Sequence, residues 1–301
     1  MDYKLSSNYS PVIFGEVLFD DFGNNVRVLG GAPFNVAWNL KGLGLDPYFV
    51  SAIGNDADGD AILESMESWE LDTSGIVRVS DYPTGRVDIK LDQGQPTFEI
   101  LENQAYDRIA KPGLNSIDLL YFGSLANRSD YTLATLRSLW NLDPKVRFID
   151  LNIRKPWFSD DRACDLLENA DWVKLNDEEL HRLTDVECNT ETNIERAVNQ
   201  LRDKLQIENC CVTRGELGAI LLTPANDKFQ ARSRKIYSVI DTVGAGDAFS
   251  AALIAGLAHH LSMADLLQLA VDFAAHSCTI QGATTSSREH YLPFRERIRS
   301  R

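Results

Sequence analysis

Short apolar runs alternate with longer segments of helical periodicity along most of the chain, the pattern of a parallel sheet covered by helices. The runs 12–18, 48–53, 119–122, 146–150, 172–175, 210–213 and 219–222 predict strands. Between them, 33–43, 59–69, 131–140, 161–168, 177–183 and 191–205 predict helices, and two apolar helices, 245–260 and 263–281, end the pattern. From 76 to 100 the rhythm changes to strict alternation, with Thr84, Arg86, Asp88 and Lys90 set against Gly85, Val87, Ile89 and Leu91. The segment Asp92-Gln93-Gly94-Gln95 then offers a hairpin turn. This predicts one α/β domain spanning 1–301, with a small β-sheet projecting from it, formed by about 20–30 and 76–108, that serves as a lid, a dimerisation surface or a plain appendage.

Composition narrows the function. At 301 residues and 44% apolar content the chain supports one sizeable core. A net charge of −14 argues against a surface that tracks nucleic acid or lies on an anionic membrane. Cys164, Cys188, Cys210, Cys211 and Cys278 have no metal-ligand spacing and predict reduced thiols in a cytoplasmic protein. No basic leader precedes an apolar stretch, and no run is long enough to span a bilayer.

The densest chemistry lies in Asp241-Thr242-Val243-Gly244-Ala245-Gly246-Asp247-Ala248-Phe249. Two glycines allow a tight turn that points successive N–H groups at one spot, and the helix that follows directs its positive end there. Asp247 beside such an anion site is either a proton acceptor for an attacking hydroxyl or an N-cap. After the first strand, Asp20, Gly30-Gly31 and Asn35 provide an acid, an amide and a close-approach turn that suit a polyhydroxyl ligand, although each also fits an ordinary turn or helix start. In mid-chain, Arg154 could clamp phosphate oxygens. Asn176 and Glu179, three apart, fit either a magnesium ion held through water or a capping box. Thr213, Gly215 and Gly218 form a turn where backbone could lie against a nucleotide. Walker-type, GxGxxG, GxSxG and HExxH signatures are absent. His259, His260 and His276 read as solvated or core residues.

DTVGAGDAF, GGAPFNVA, NDEE and TRGELG, in this order, resemble the ribokinase-like (phosphofructokinase-B type) carbohydrate kinases. The resemblance covers about 12–282, and PTGRVDIKL, ENQAYD, YFGSLA and DLNIRKPW look most like the fructokinase branch. It implies a three-layer α/β/α domain with a mainly parallel sheet and a β lid, transferring the γ-phosphoryl group of ATP, with Mg2+, to a primary hydroxyl of a free sugar. D-fructose is the substrate expected first; 2-keto-3-deoxygluconate, ribose or a nucleoside are the alternatives, and a non-catalytic sensor on the same fold is the alternative of another class. Asp247 matches the family's catalytic base, and Gly244, Ala245 and Gly246 its anion hole. Asp20, Gly30, Gly31, Asn35 and Arg154 match substrate positions. Asn176, Thr213, Gly215, Gly218 and Gly246 match nucleotide positions, with Asn176 and Glu179 organising magnesium through water. Asp241, Val243 and Gly282 fall where several members hold K+. A homodimer through the lid follows as an expectation. Glu102, Asn103 and Asp107 are further candidates to reach the substrate, and Arg86 and Arg108 are the lid-region cations.

Overall fold

Gly15 splits the first apolar run into two strands that belong to different sheets. A side chain there would place its Cβ 2.4 Å from Cγ of Pro33, so the chain can cross the start of the first helix only as glycine. The computed structural model describes residues 10–299 except 24–25, 93–94, 155–156, 158 and 234–237; of 90–98 the backbone alone is described. The expected turn at Gln93-Gly94 lies outside the described residues.

The strands are β1 (Val12–Phe14), β2 (Leu18–Asp21), β3 (Arg27–Gly30), β4 (Tyr48–Gly54), β5 (Ile76–Val79), β6 (Gly85–Asp92), β7 (Gln95–Ile100), β8 (Leu119–Gly123), β9 (Val146–Asp150), β10 (Trp172–Asn176), β11 (Asn209–Thr213), β12 (Ala219–Leu222) and β13 (Lys228–Ala231). The helices are α1 (Ala32–Leu43), α2 (Ala57–Ser68), α3 (Asp130–Trp140), α4 (Asp160–Leu167), α5 (Asp177–Thr184), α6 (Glu191–Leu205), α7 (Ala245–Ala258), α8 (Met263–Ser277) and α9 (Arg288–Arg299). A nine-stranded sheet runs β13-β12-β11-β10-β9-β8-β1-β4-β5, parallel from β11 to β5 and antiparallel at β12 and β13. A second sheet of four strands runs β3-β2-β6-β7.

Successive strand residues feed opposite faces, which makes two cores and three layers. Ile13, Phe49, Tyr121, Phe148 and Trp172 join α1, α2, α7, α8 and α9 on one face. Phe14, Val50, Phe122, Ile149 and Val173 join α3, α4, α5 and α6 on the other. Tyr121, Phe148 and Trp172 stack in line across β8, β9 and β10, with centroids 5.8 and 6.4 Å apart.

Two expectations change. The alternating stretch enters the small sheet only from Gly85, because Ile76–Val79 pairs with β4 at the edge of the large one. A third C-terminal helix, α9, buries Tyr291, Phe294 and Ile298 at helical spacing against the α1–α8 side of the core.

Candidate active site

The cleft opens at the carboxyl ends of the parallel strands, where open α/β sheets hold their ligands. Its volume is about 430 Å³, and its walls include Asp20, Gly31, Asn35, Arg154, Gly244, Gly246 and Asp247. With Val243, also on these walls, eight expected positions thus converge from four separate stretches of chain.

Two helix N-termini meet there. Gly31 precedes α1 with φ 105°, and a Cβ on it would lie 2.7 Å from the Glu16 carbonyl. Gly244 precedes α7 with φ 75°, in the left-handed region that glycine enters without strain. In the α7 turn the Ala245 N–H reaches the Thr242 carbonyl at 3.3 Å, and the Ala248 N–H closes the first helical turn on the Gly244 carbonyl at 2.9 Å. Among the described residues, the N–H groups of Gly244, Gly246 and Asp247 find no acceptor and remain as the turn's donors.

Across the gap, Asn35 Nδ2 donates to Asp247 Oδ2 at 2.8 Å, joining residues 212 positions apart. Burial, and then the neighbouring Asp150 carboxylate, push the Asp247 carboxyl up to about 7, against the pull of Asn35, Lys174 and Arg154. Burial also raises Asp20 from the ordinary carboxylate range, opposed by Arg154. Asp20 lies on β2, and the Gly30 α-carbon faces its carboxylate: a Cβ on Gly30 would be 3.3 Å from Asp20 Oδ2.

Asn176 and Glu179 form a capping box. Glu179 N–H donates to Asn176 Oδ1 at 2.8 Å, and Asn176 N–H donates to Glu179 Oε2 at 3.0 Å. Glu179 Oε1 also accepts from the Ile153 N–H at 2.8 Å, which ties α5 to the loop bearing Arg154. Lone pairs remain on both carboxylate oxygens for metal-bound water, so the pair fits an outer-sphere magnesium role as well as a capping one. Removing both acceptors strands two amides, so Glu179→Ala is expected to lose about 2 kcal/mol. A thermal melt checks this; an unchanged Tm would contradict the bracing role.

The other expected positions lie outside the walls of this cleft. Thr213 ends β11 beside Asn176. Gly215, with φ 52°, faces open space, whereas Gly218 is required as glycine both by its φ of 83° and by β13, since a Cβ there would meet the Ala231 carbonyl at 2.0 Å. Asp241 joins two loops: its Oδ1 accepts from Val243 N–H at 3.0 Å and its Oδ2 from Gly282 N–H at 2.9 Å. Among the described residues, no three His, Cys, Asp or Glu side chains gather as a metal cluster. Asp107 does not reach the cleft; Arg128 Nε and Nη2 each donate to it at 2.8 Å. His276 stacks on His290 in the core, centroids 4.2 Å apart.

Sequence reasoning missed Glu16, Asp150 and Lys174. Glu16 lines the cleft, accepts from the Ala126 N–H at 3.3 Å, and is pushed by burial up to about 7. Asp150 and Lys174 form a buried ion pair at 2.8 Å under the α7 turn. The available signal is a charge set in an apolar run, plain for Glu16 and Lys174, whereas Asp150 stands at the end of β9 like an ordinary strand-end residue.

The sequence profile of the pfkB family carbohydrate kinases matches residues 14–290. A fructokinase of Salmonella typhimurium is 29% identical over 294 residues, covering 90% of this chain and 92% of that one. The crystal structure of a fructokinase with bound ATP from Xylella fastidiosa superposes with a TM-score of 0.80 at 24% identity, covering 98% of this chain and 100% of that one. Arabidopsis thaliana ribokinase complexed with ribose and ATP gives 0.79 at 22% identity, covering 96% and 99%.

Proposed function

The chain belongs to the pfkB family of carbohydrate kinases, and we propose that within it the acceptor is a free sugar, D-fructose, phosphorylated on its primary 6-hydroxyl. The observation that carries this reading is the Asn35–Asp247 bond, which sets a buried carboxylate between the α7 amides and the sugar-type groups of the small sheet. Asn35 occupies Oδ2 of Asp247 and leaves Oδ1 to accept the hydroxyl proton as that oxygen attacks the γ-phosphoryl group. Gly244, Ala245 and Gly246 shape the turn whose free N–H groups stabilise charge on the transferred group. Asp20, Gly30, Gly31 and Asn35 orient the sugar, and Arg154 steadies anionic oxygens at the open side.

Thr213, Gly215, Gly218, Asn176 and Gly246 are assigned to the nucleotide. Magnesium, when bound, neutralises phosphate charge; Asn176 and Glu179 would hold it through water. Potassium would sit at Asp241, Val243 and Gly282, whose loops Asp241 already draws together.

A free sugar is favoured over a phosphosugar because the two lid arginines expected to face the substrate are already engaged. Arg86 pairs with Asp88 and Asp21, and Arg108 bonds and stacks on Tyr82. The similarity to fructokinases supports fructose among the free sugars. A coupled ADP-release assay with fructose, ribose, 2-keto-3-deoxygluconate and a nucleoside is expected to give fructose the highest kcat/KM by at least about tenfold, the low end of what one misfitting group costs a substrate. Preference for any other acceptor overturns the assignment.

Phe22, Val26 and Val28 expose apolar surface on and beside the small sheet, which supports a homodimer through that sheet. Sedimentation is expected to show a dimer that Val28→Glu dissociates; a monomeric parent protein overturns it. Among the described residues no helix is long and apolar enough to cross a membrane, and all five cysteines are free, which supports a cytoplasmic setting.

A further inference from the structure

A buried ion pair lies directly beneath the turn that carries Asp247. Lys174 and Asp150 are register partners on β10 and β9, and Lys174 Nζ donates to Asp150 Oδ1 at 2.8 Å and Oδ2 at 3.1 Å. Ser250 Oγ donates to the same Oδ2 at 2.8 Å. Ser250 follows Gly246 by one helical turn, so both lie on one face of α7. A Cβ on Gly246 would stand 3.0 Å from Lys174 Nζ. The two strands therefore meet α7 at two points, through a hydroxyl and through the bare face of a glycine.

All three side chains are buried. A buried ion pair is weak evidence for stability, since apolar side chains of equal volume often serve the fold as well. Its location suggests another use. Asp150 is a second carboxylate close to Asp247, and two neighbouring carboxylates out of water oppose each other's ionisation. The ionisable groups around Asp247 are Asp150 from β9, Lys174 from β10, Arg154 from the loop after β9 and Tyr121 from β8, with Glu16 and Asp20 on the walls of the same cleft. Lys174 is the one among them that is bonded to Asp150.

We propose that Lys174 is a positioning residue for Asp247: anchored by Asp150 and Ser250, it cancels the Asp150 charge beneath the turn and fixes the face of α7 from which Asp247 meets Asn35, so that Asp247 can take the substrate proton. The proposal rests on Asp247 being the proton acceptor. Gly246 belongs to the same device, because a Cβ there would press on the ammonium at 3.0 Å and push it from the underside of the turn.

The test is the pH profile of kcat for the purified full-length enzyme and three variants. Lys174→Met is expected to lower kcat at neutral pH at least tenfold and to move the acid limb upward by about one pH unit, with KM for the sugar within threefold. Asp150→Asn/Lys174→Met, which buries no charge, is expected to return the limb to within about half a unit of the parent. Lys174→Arg is expected to recover part of the lost rate. An acid limb that stays in place in folded Lys174→Met, or a double variant whose limb matches that single one, overturns the proposal. Should Lys174→Met not fold, Asp150→Asn is expected to move the limb downward, and an unmoved limb there is equally decisive. Asp247→Asn separates this proposal from the reading beneath it: full activity in that variant removes the acceptor role itself, whereas its inactivity together with an unmoved Lys174→Met limb removes only the role of Lys174.

Discussion

Asp247→Asn is expected to lower kcat by about 10²–10⁴, the range for losing a positioned proton acceptor, while melting close to the parent protein. The amide keeps the shape of the carboxylate and can still accept from Asn35, so the contact between the first turns of α1 and α7 survives. What disappears is the oxygen that receives the proton. Because burial and Asp150 push Asp247 up to about 7, the parent enzyme should gain activity as pH rises toward and through about 7. The sign is fixed by chemistry: the protonated carboxyl has nothing to accept with, and the ionised form predominates only above its pKa. Steady-state assays from pH 5 to 9 check both points. Residual activity in the variant should lack that limb, and a kcat within tenfold of the parent would sink the acceptor role.

Gly244→Ala is expected to be the most damaging change of one methyl group. Its Cβ would lie 2.2 Å from Cβ and 2.5 Å from Cα of Ala283, at φ 75°. The left-handed backbone costs an alanine roughly 1–2 kcal/mol, and the overlap forces the loop after α8 or the turn itself to move, costing about 1–3 kcal/mol more. Any such movement takes the Gly246 and Asp247 amides off the transferred group, and losing one such donor typically costs on the order of 10²–10³ in kcat. Gly23→Ala is the control, since its φ of 74° is also positive but its Cβ would enter open space. Comparing kcat and Tm of the two variants separates strain from displacement. Equal activity in both would show that the turn tolerates movement.

Much of the fold follows from periodicity. The parallel strands and most helices rest on apolar repeats of 2 and 3.6 that survive in the folded chain. Where the reading failed, competing physics explains it. Strands β1 and β2 read as one run because, Glu16 apart, the side chains flanking Gly15 are apolar, and only the approach of Pro33 reveals why the chain must break there. Helix α9 was hidden by Pro293 and by the polar residues around its three core positions. In the site, Asp247 and Asn35 are each legible as helix-start polar residues, but their bond depends on how α1 and α7 pack. Asp150 and Lys174 become partners only through strand register, which no local window contains.

Asp20 and Asp247 belong to different bodies. Asp20 rides on β2 of the small sheet, while Asp247 is fixed to the large one through α7 and the ion pair beneath it. Parallel pairing of β2 with β6 clamps two distant stretches of chain into one plate, and β3 runs from that plate directly into α1. On the proposed reading, a sugar held by Asp20 and presented to Asp247 would be a strut between plate and block. Tilting the plate would change the gap that the strut spans, so the acceptor's size would be gauged by how far the plate leans to seat it.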